Sequence, residues 1–359
     1  MKKYLLGLAL IAMSGLGSAQ SSVTIFGGVD NAIGRGTGSV ANRTRLVNNG
    51  NCGPKLGLRG TEDLGGGQSA NFWLEGALST DDGQGVPSNS SNQSSGTSTA
   101  PNGTQGLVFN RRSTVGLVGP WGELNAGRDH SAQYKGRFEV DPFGNCGVGT
   151  VQTQAGALSG PTGVRVSNFI GYGLPANLGG FYGFAQYYVG ENASNAGATA
   201  RDGTGAAARL GYVMGPLDVQ VATARTHYAQ TATAGSIRSS NATVRYQLGA
   251  VKLMSGYFID TVDASSRITG KGGVVSAIWQ VGAGDVKAAL SRYKSDAGTS
   301  PATTKLSLGY VHNLSKRTAL YATYARVSNS GGATAALNAS ITGPNQSSSG
   351  FDLGVRHLF

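Results

Sequence analysis

Phe351-Asp352-Leu353-Gly354-Val355-Arg356-His357-Leu358-Phe359 closes the chain, and the reading of this stretch decides the fold. Counting back from the end, Phe359, His357, Val355, Leu353 and Phe351 share one face; Leu358, Arg356, Gly354 and Asp352 share the other. In a strand, successive side chains point to opposite faces, so a period of two divides the residues in this way. One face here is largely apolar and aromatic, and the other carries Arg356 and Asp352. That division suits a strand between lipid and water. The alternation recurs upstream. Leu306, Leu308 and Tyr310 oppose Lys305, Ser307 and Gly309; Val244, Tyr246 and Leu248 oppose Thr243, Arg245 and Gln247; Leu210 and Tyr212 oppose Arg209 and Gly211.

A soluble sandwich alternates as well, so the connections must choose between the two. Short turns rich in Gly, Pro, Asn and Asp fall at 62–67, 119–122, 175–180, 215–216, 248–249, 282–285 and 313–317, the chemistry of tight hairpins. Between them lie longer polar stretches at 35–51, 81–106, 130–164, 191–205, 227–238, 261–270, 295–303 and 328–349. These fifteen connections join sixteen strands, with both termini on the short-turn side. The expected fold is all-β: a 16-stranded antiparallel transmembrane β-barrel with short periplasmic turns and long extracellular loops. Closure satisfies every backbone polar group that lipid would leave unpaired. The Ser/Asn/Gly-rich loop at 81–106 reads as a flexible segment, with an arm to a neighbouring subunit as the alternative.

The beginning of the chain, Met1-Lys2-Lys3 followed by an apolar run and Gly17-Ser18-Ala19, reads as a secretory signal peptide over residues 1–19. Residues 20–359 then form one barrel domain, since no compositional break divides them. With Lys2 and Lys3 removed, 27 basic residues face 18 acidic ones, an excess of +9, which points to an affinity for anions. The basic residues are dispersed and form no nucleic-acid motif, so nucleic acid is not expected as a partner. The two cysteines, Cys52 and Cys146, are too few for a disulfide scaffold or a zinc site. A bridge between them is chemically permitted in an exported chain, and spacing leaves it open. No metal or cofactor is expected. The connection at 130–164 carries Lys135, Arg137, Glu139 and Asp141 before Pro142-Phe143-Gly144. It is the candidate to fold inward and narrow a lumen that sixteen strands would otherwise leave wide.

Several runs carry a family resemblance: Ser22-Val23-Thr24-Ile25-Phe26-Gly27, Lys55-Leu56-Gly57-Leu58-Arg59-Gly60-Thr61-Glu62-Asp63-Leu64-Gly65, Phe109-Asn110-Arg111-Arg112, Gly127-Arg128-Asp129 and the terminal Arg356-His357-Leu358-Phe359. Together, in this order, the chain resembles the general porins of Gram-negative outer membranes, and most of all their betaproteobacterial branch. The resemblance implies a homotrimeric passive diffusion channel in outer-membrane lipid and lipopolysaccharide, with the third loop folded inward. It also implies a basic ladder facing acidic groups on that loop. Carried over, the ladder falls on Lys55, Arg111 and Arg165. Alternation agrees that Lys55, Arg59 and Arg165 point inward, but at the fourth strand it favours Arg112 over Arg111, a conflict that a bulge would reconcile. Glu139 and Asp141 are the expected acidic side, and Phe359 the residue that closes the barrel. Rings of Arg and Lys lower the barrier for anions, so the pore is expected to pass small anions and hydrophilic solutes. A channel tuned to phosphate or a dicarboxylate is the alternative.

Two other classes fit less well. Enzymatic turnover would need a nucleophile and base to converge, yet His130 and His227 map to the loop rim while His312 and His357 map to the turn rim. A secreted adhesin or solenoid would show a fixed short repeat, and none recurs.

Overall fold

The computed structural model describes residues 22–86, 88–89, 91–93, 106–152 and 156–359. The leader read at 1–19 and much of the loop at 81–106 lie outside them. Alternation in the sequence becomes a sheet of antiparallel strands. In chain order these are β1 (Ser22–Thr37), β2 (Arg43–Val47), β3 (Lys55–Gly65), β4 (Gln68–Ser79), β5 (Gln84–Gly85), β6 (Arg112–Gly119), β7 (Gly122–His130), β8 (Arg165–Gly173) and β9 (Phe181–Tyr188). They continue as β10 (Gly205–Met214), β11 (Leu217–Thr226), β12 (Ser236–Leu248), β13 (Val251–Asp263), β14 (Ile268–Val281), β15 (Gly284–Ser295), β16 (Ala302–Asn313), β17 (Thr318–Ser330) and β18 (Ser348–Leu358). Two helices, α1 (Ala132–Glu139) and α2 (Gly156–Ser159), lie between β7 and β8.

Closure comes from β1 pairing with β18, from Gly28 opposite Leu358 to Thr37 opposite Ser349. The terminal Phe359 completes the seam: its N–H donates to the Gly27 carbonyl at 3.1 Å and its carbonyl accepts from Gly27 N–H at 3.0 Å. Gly27 is required there, because a Cβ would stand 2.4 Å from the Phe359 ring and 2.6 Å from the Lys55 carbonyl oxygen. Setting aside β2 and β5, which lie in the expected loop regions, sixteen strands make the wall.

The faces sort as the alternation requires. Val23, Ile25, Val115, Ile170, Val275 and Leu353 are exposed on the outside, whereas Asp30, Asp260, Asp352 and many Ser and Thr side chains are buried on the inside. A barrel in lipid is inverted in this way relative to a soluble core.

Loop lengths depart from expectation in three places. The first long connection contains β2, which follows β3 along the same edge of β1. Residues 48–54 between them dip inward, where Asp30 accepts N–H donors from Asn51 at 2.8 Å and Cys52 at 2.6 Å. The expected loop at 261–270 is mostly strand, because β13 runs to Asp263 and β14 starts at Ile268; Thr261 pairs with Thr269 on the outward face, while Val262 and Ala264 are buried inward. In the second loop, Asn92 docks on its own barrel, donating to Ser167 O at 2.9 Å and accepting from Ser167 N–H at 2.9 Å. Among the described residues, Asn92 and Gln93 of this segment are hydrogen-bonded to their own chain.

The third connection turns into the barrel. Gly136 lets α1 lie flat on the wall, since a Cβ there would sit 2.2 Å from Asn241 Oδ1. Arg137, fully enclosed, meets Asp260 of β13 at 2.5 Å and Ser239 of β12 at 2.9 Å. Beyond the helix, Val140, Phe143 and Val151 pack on Met254, Phe258, Val274 and Ala289 of the wall. Leu158 of α2 packs in turn on Tyr228, Ile237 and Val262.

Candidate permeation pathway

The inner faces of β3, β4, β6, β7 and β8 bring the expected basic residues to one side of the bore. At its centre stands Glu75, whose carboxylate lies 2.6 Å from Arg111 Nε and 3.5 Å from Lys55 Nζ. Arg165 Nε donates to the Arg111 carbonyl at 2.9 Å, so Lys55, Arg111 and Arg165 form one continuous group. Arg112 faces Asp129 at 3.6 Å and lies over the Trp73 ring at 4.7 Å. On the same ring lies Arg59, at 5.1 Å, giving a stack of two guanidiniums and an indole.

The conflict between Arg111 and Arg112 has a structural answer. Arg112 is the register partner of Glu75, yet Arg111 N–H also donates to the Glu75 carbonyl at 3.0 Å. Two residues oppose one, as in a β-bulge, and both side chains reach the lumen.

A cavity of 610 Å³ is lined by Lys55, Glu75, Arg111, Arg112, Asp129 and Arg165 on this side. A second, of 450 Å³, continues toward the turn rim past Arg59, sharing Trp73 and Arg112 with the first. Six cations, Arg356 among them, and two carboxylates therefore border the path, a net of +4 from these eight groups.

Across the gap stands the aromatic face of α1 rather than an acidic one. His130, Tyr134 and Phe138 form a ring cluster, with centroids 5.1 Å apart for His130 and Tyr134 and 6.1 Å for Tyr134 and Phe138. The two expected acids are engaged elsewhere, and the expectation is corrected accordingly. Glu139 turns to the opposite wall, accepting from Arg209 at 2.9 Å and Gln220 at 2.6 Å and lying 3.3 Å from Arg245. Asp141 caps the loop, accepting backbone N–H groups of Phe143 at 2.9 Å, Asn145 at 3.0 Å and Val151 at 3.3 Å. Its carboxyl is held above the usual range by burial, which outweighs those hydrogen bonds. Burial likewise depresses the Lys135 ammonium, which lies over the Phe184 ring at 5.1 Å.

Cys52 and Cys146 are free thiols, so the permitted bridge is not formed. Both border the larger cavity, and burial pushes each thiol up to about 12. The histidines stay apart. His312 contacts Tyr310 and His357 contacts Thr318 at the turn rim, whereas His227 meets Arg201 at the loop rim.

A profile of the Gram-negative porin family matches residues 7–332. The chain is a Gram-negative porin. It is 36% identical to Outer membrane porin protein 32 of Delftia acidovorans, with both chains covered completely. An outer membrane porin protein of Bordetella pertussis is 29% identical over 90% of the porin and 93% of the relative. Among solved structures, the anion-selective porin from Comamonas acidovorans superposes with a TM-score of 0.80 at 31% identity, covering 95% of this porin and 100% of that chain. OmpT of Vibrio cholerae, at 15% identity and a TM-score of 0.66, covers 96% of the porin and 99% of its own length, and shares the fold. The porin is thus an outer-membrane β-barrel channel, and its relatives are channels rather than enzymes.

Sequence reading overlooked Trp73, Glu75 and Asp129 in this porin. Alternation held the signal for the first two: Phe72 and Leu74 take one face of β4, leaving Trp73 and Glu75 to the other. The contacts of Glu75 with Lys55 of β3 and with Arg111 just before β6 depend on register, which alternation does not give.

Proposed function

We propose that this porin is a passive diffusion channel preferring anions, with Lys55, Arg59, Arg111, Arg112 and Arg165 as the selecting groups and 130–164 as the constriction loop. The observation that carries this reading is the imbalance at the waist: six cations, Arg356 among them, and two carboxylates border the path, while Glu139 pairs with the opposite wall and Asp141 caps its own loop. Cations facing a narrow aqueous gap lower the barrier for anions and raise it for cations, and Arg keeps its charge at any working pH. The Comamonas relative, described as an anion-selective porin, agrees with this reading.

The test is reversal potential in a KCl gradient across a planar bilayer. A chloride preference is expected, reduced in the Lys55→Gln/Arg111→Gln/Arg165→Gln variant; a potassium preference in the unmodified porin sinks the proposal. A second reading, a channel tuned to phosphate or a dicarboxylate, is favoured by the fixing of Arg111 and Arg165 through Glu75 and a backbone carbonyl. Concentration-dependent block of chloride current by one such anion, with others inert, would favour it. We also propose a homotrimer, which three conductance steps per insertion event and a boiling-sensitive high-mass gel band would support.

A further inference from the structure

We propose that the larger cavity at the waist binds aromatic monocarboxylates, with the carboxylate held by Arg165 and the ring laid against Phe138. The inference rests on the anion-preferring reading above and names the class of solute that the same site favours. Two features on opposite sides of the gap carry it. The first is a pair of uncompensated guanidiniums. Of the cations bordering this cavity, Lys55 and Arg111 share Glu75, and Arg112 faces Asp129. Among the described residues Arg165 and Arg356 form no ion pair. Asp30, the register partner of Arg356, instead accepts from the Tyr321 hydroxyl and from the N–H groups of Asn51 and Cys52. Arg165 uses only its Nε, on the Arg111 carbonyl. Its two terminal nitrogens are left to meet a carboxylate with two parallel hydrogen bonds.

The second feature is the ring cluster. His130, Tyr134 and Phe138 recur every four residues, the spacing that puts side chains on one helical face. The other face of α1, with Gly136 and Arg137, is packed on the wall. The His130 and Phe138 rings are stacked, with centroids 6.0 Å apart and 30° between their planes. Among the described residues none of the three meets a ring outside the cluster. Phe138 is 41% exposed and borders the cavity. An apolar ring facing water gains by being covered, and most by another ring. His130 is also the register partner of Arg165, and paired residues stand about 5 Å apart at Cβ. The ring face therefore begins beside the unpaired guanidinium. A flat apolar body with a charged head fits both features. Phosphate or an aliphatic dicarboxylate would leave the rings bare, and a neutral arene would leave Arg165 without a partner.

The experiment measures block of chloride current through the full-length porin in a planar bilayer. The probes are benzoate, cyclohexanecarboxylate and acetate, which share one carboxylate and differ in the body behind it. Benzoate should half-block at a concentration at least about tenfold below acetate, from burial of the ring. It should also lie about two- to tenfold below cyclohexanecarboxylate, from ring stacking. In Phe138→Leu the two ring acids should block at the same concentration, and in Arg165→Gln all three acids should block more weakly. Equal block by benzoate and cyclohexanecarboxylate in the unmodified porin overturns the proposal whether or not any variant folds. An undiminished benzoate advantage in Phe138→Leu overturns it as well. A chloride preference without any benzoate advantage defeats this inference and leaves the anion reading standing, whereas a potassium preference defeats both.

Discussion

Glu75 decides more of the lumen's chemistry than any single cation, because one carboxylate holds both Lys55 and Arg111. Replacing it with Gln releases two positive charges without changing side-chain volume. The chloride-to-potassium permeability ratio of Glu75→Gln should rise roughly two- to threefold, the scale of ~0.5 kcal/mol for a partly exposed pair. Reversal potentials measure this, and a fall in the ratio would contradict the placement of Glu75 on the path. The thiols make a second test at this scale. With Cys52 and Cys146 pushed up to about 12 from 9.0, the reactive thiolate is about a thousandfold scarcer than for an unperturbed cysteine. Iodoacetamide labelling of the folded porin at pH 8 should therefore be very slow. It should climb about tenfold per pH unit with no plateau below about 12, whereas the chain unfolded in urea should label promptly.

Among the elements, the inward loop is tied to the wall by many hydrogen bonds, and Arg137–Asp260 is its most enclosed ion pair. Asp260→Ala strands the guanidinium in a buried site, which costs about 3–5 kcal/mol. A lower thermal unfolding midpoint and noisier open-channel current should accompany it; a quiet channel with an unchanged midpoint would show that the apolar packing of Phe143 and Val140 suffices. The wall strands could be read from the sequence because period two is local: Leu306, Leu308 and Tyr310 declare a face without reference to any neighbour. The helix α1 was less legible. Tyr134 and Phe138 stand four apart, as one helical face requires, but eight residues that include Gly136, with no side-chain cap at Ser131, give a weak local signal. The engagement of Glu139 by Arg209, Gln220 and Arg245 could not be read at all, since it joins residues 70, 81 and over 100 positions apart. The inward dip at 48–54 was likewise hidden, because it depends on the buried Asp30 carboxylate that collects its N–H groups.

For the whole molecule, closure is the cooperative event, and the chain's last residue takes part in it. Phe359 pairs with Gly27 in both directions, and its ring occupies the space that a side chain at position 27 would need. Gly27→Val should therefore impair assembly about as severely as deleting Phe359. In both variants the heat-modifiable folded band on an unboiled gel should shrink several-fold, consistent with a loss of ~1–3 kcal/mol for unsatisfied backbone groups and overpacking. Equal folding of Gly27→Val and unmodified porin would show that the seam tolerates displacement of the ring.

The pairing of Glu75 and Asp129 with cations of their own wall, while rings occupy the facing side, makes the bore a one-sided electrode. Its attraction radiates from a single surface and is not cancelled by an opposing plate, so dissolved electrolyte acts on it as a dimmer. With a screening length of ~30 Å at 0.01 M the whole cross-section is lit by the positive side; at ~3 Å in 1 M only a solute brushing that surface still feels it. Discrimination between ions should accordingly fade with concentration while throughput grows, so that the channel sorts strictly in dilute surroundings and indifferently in brine.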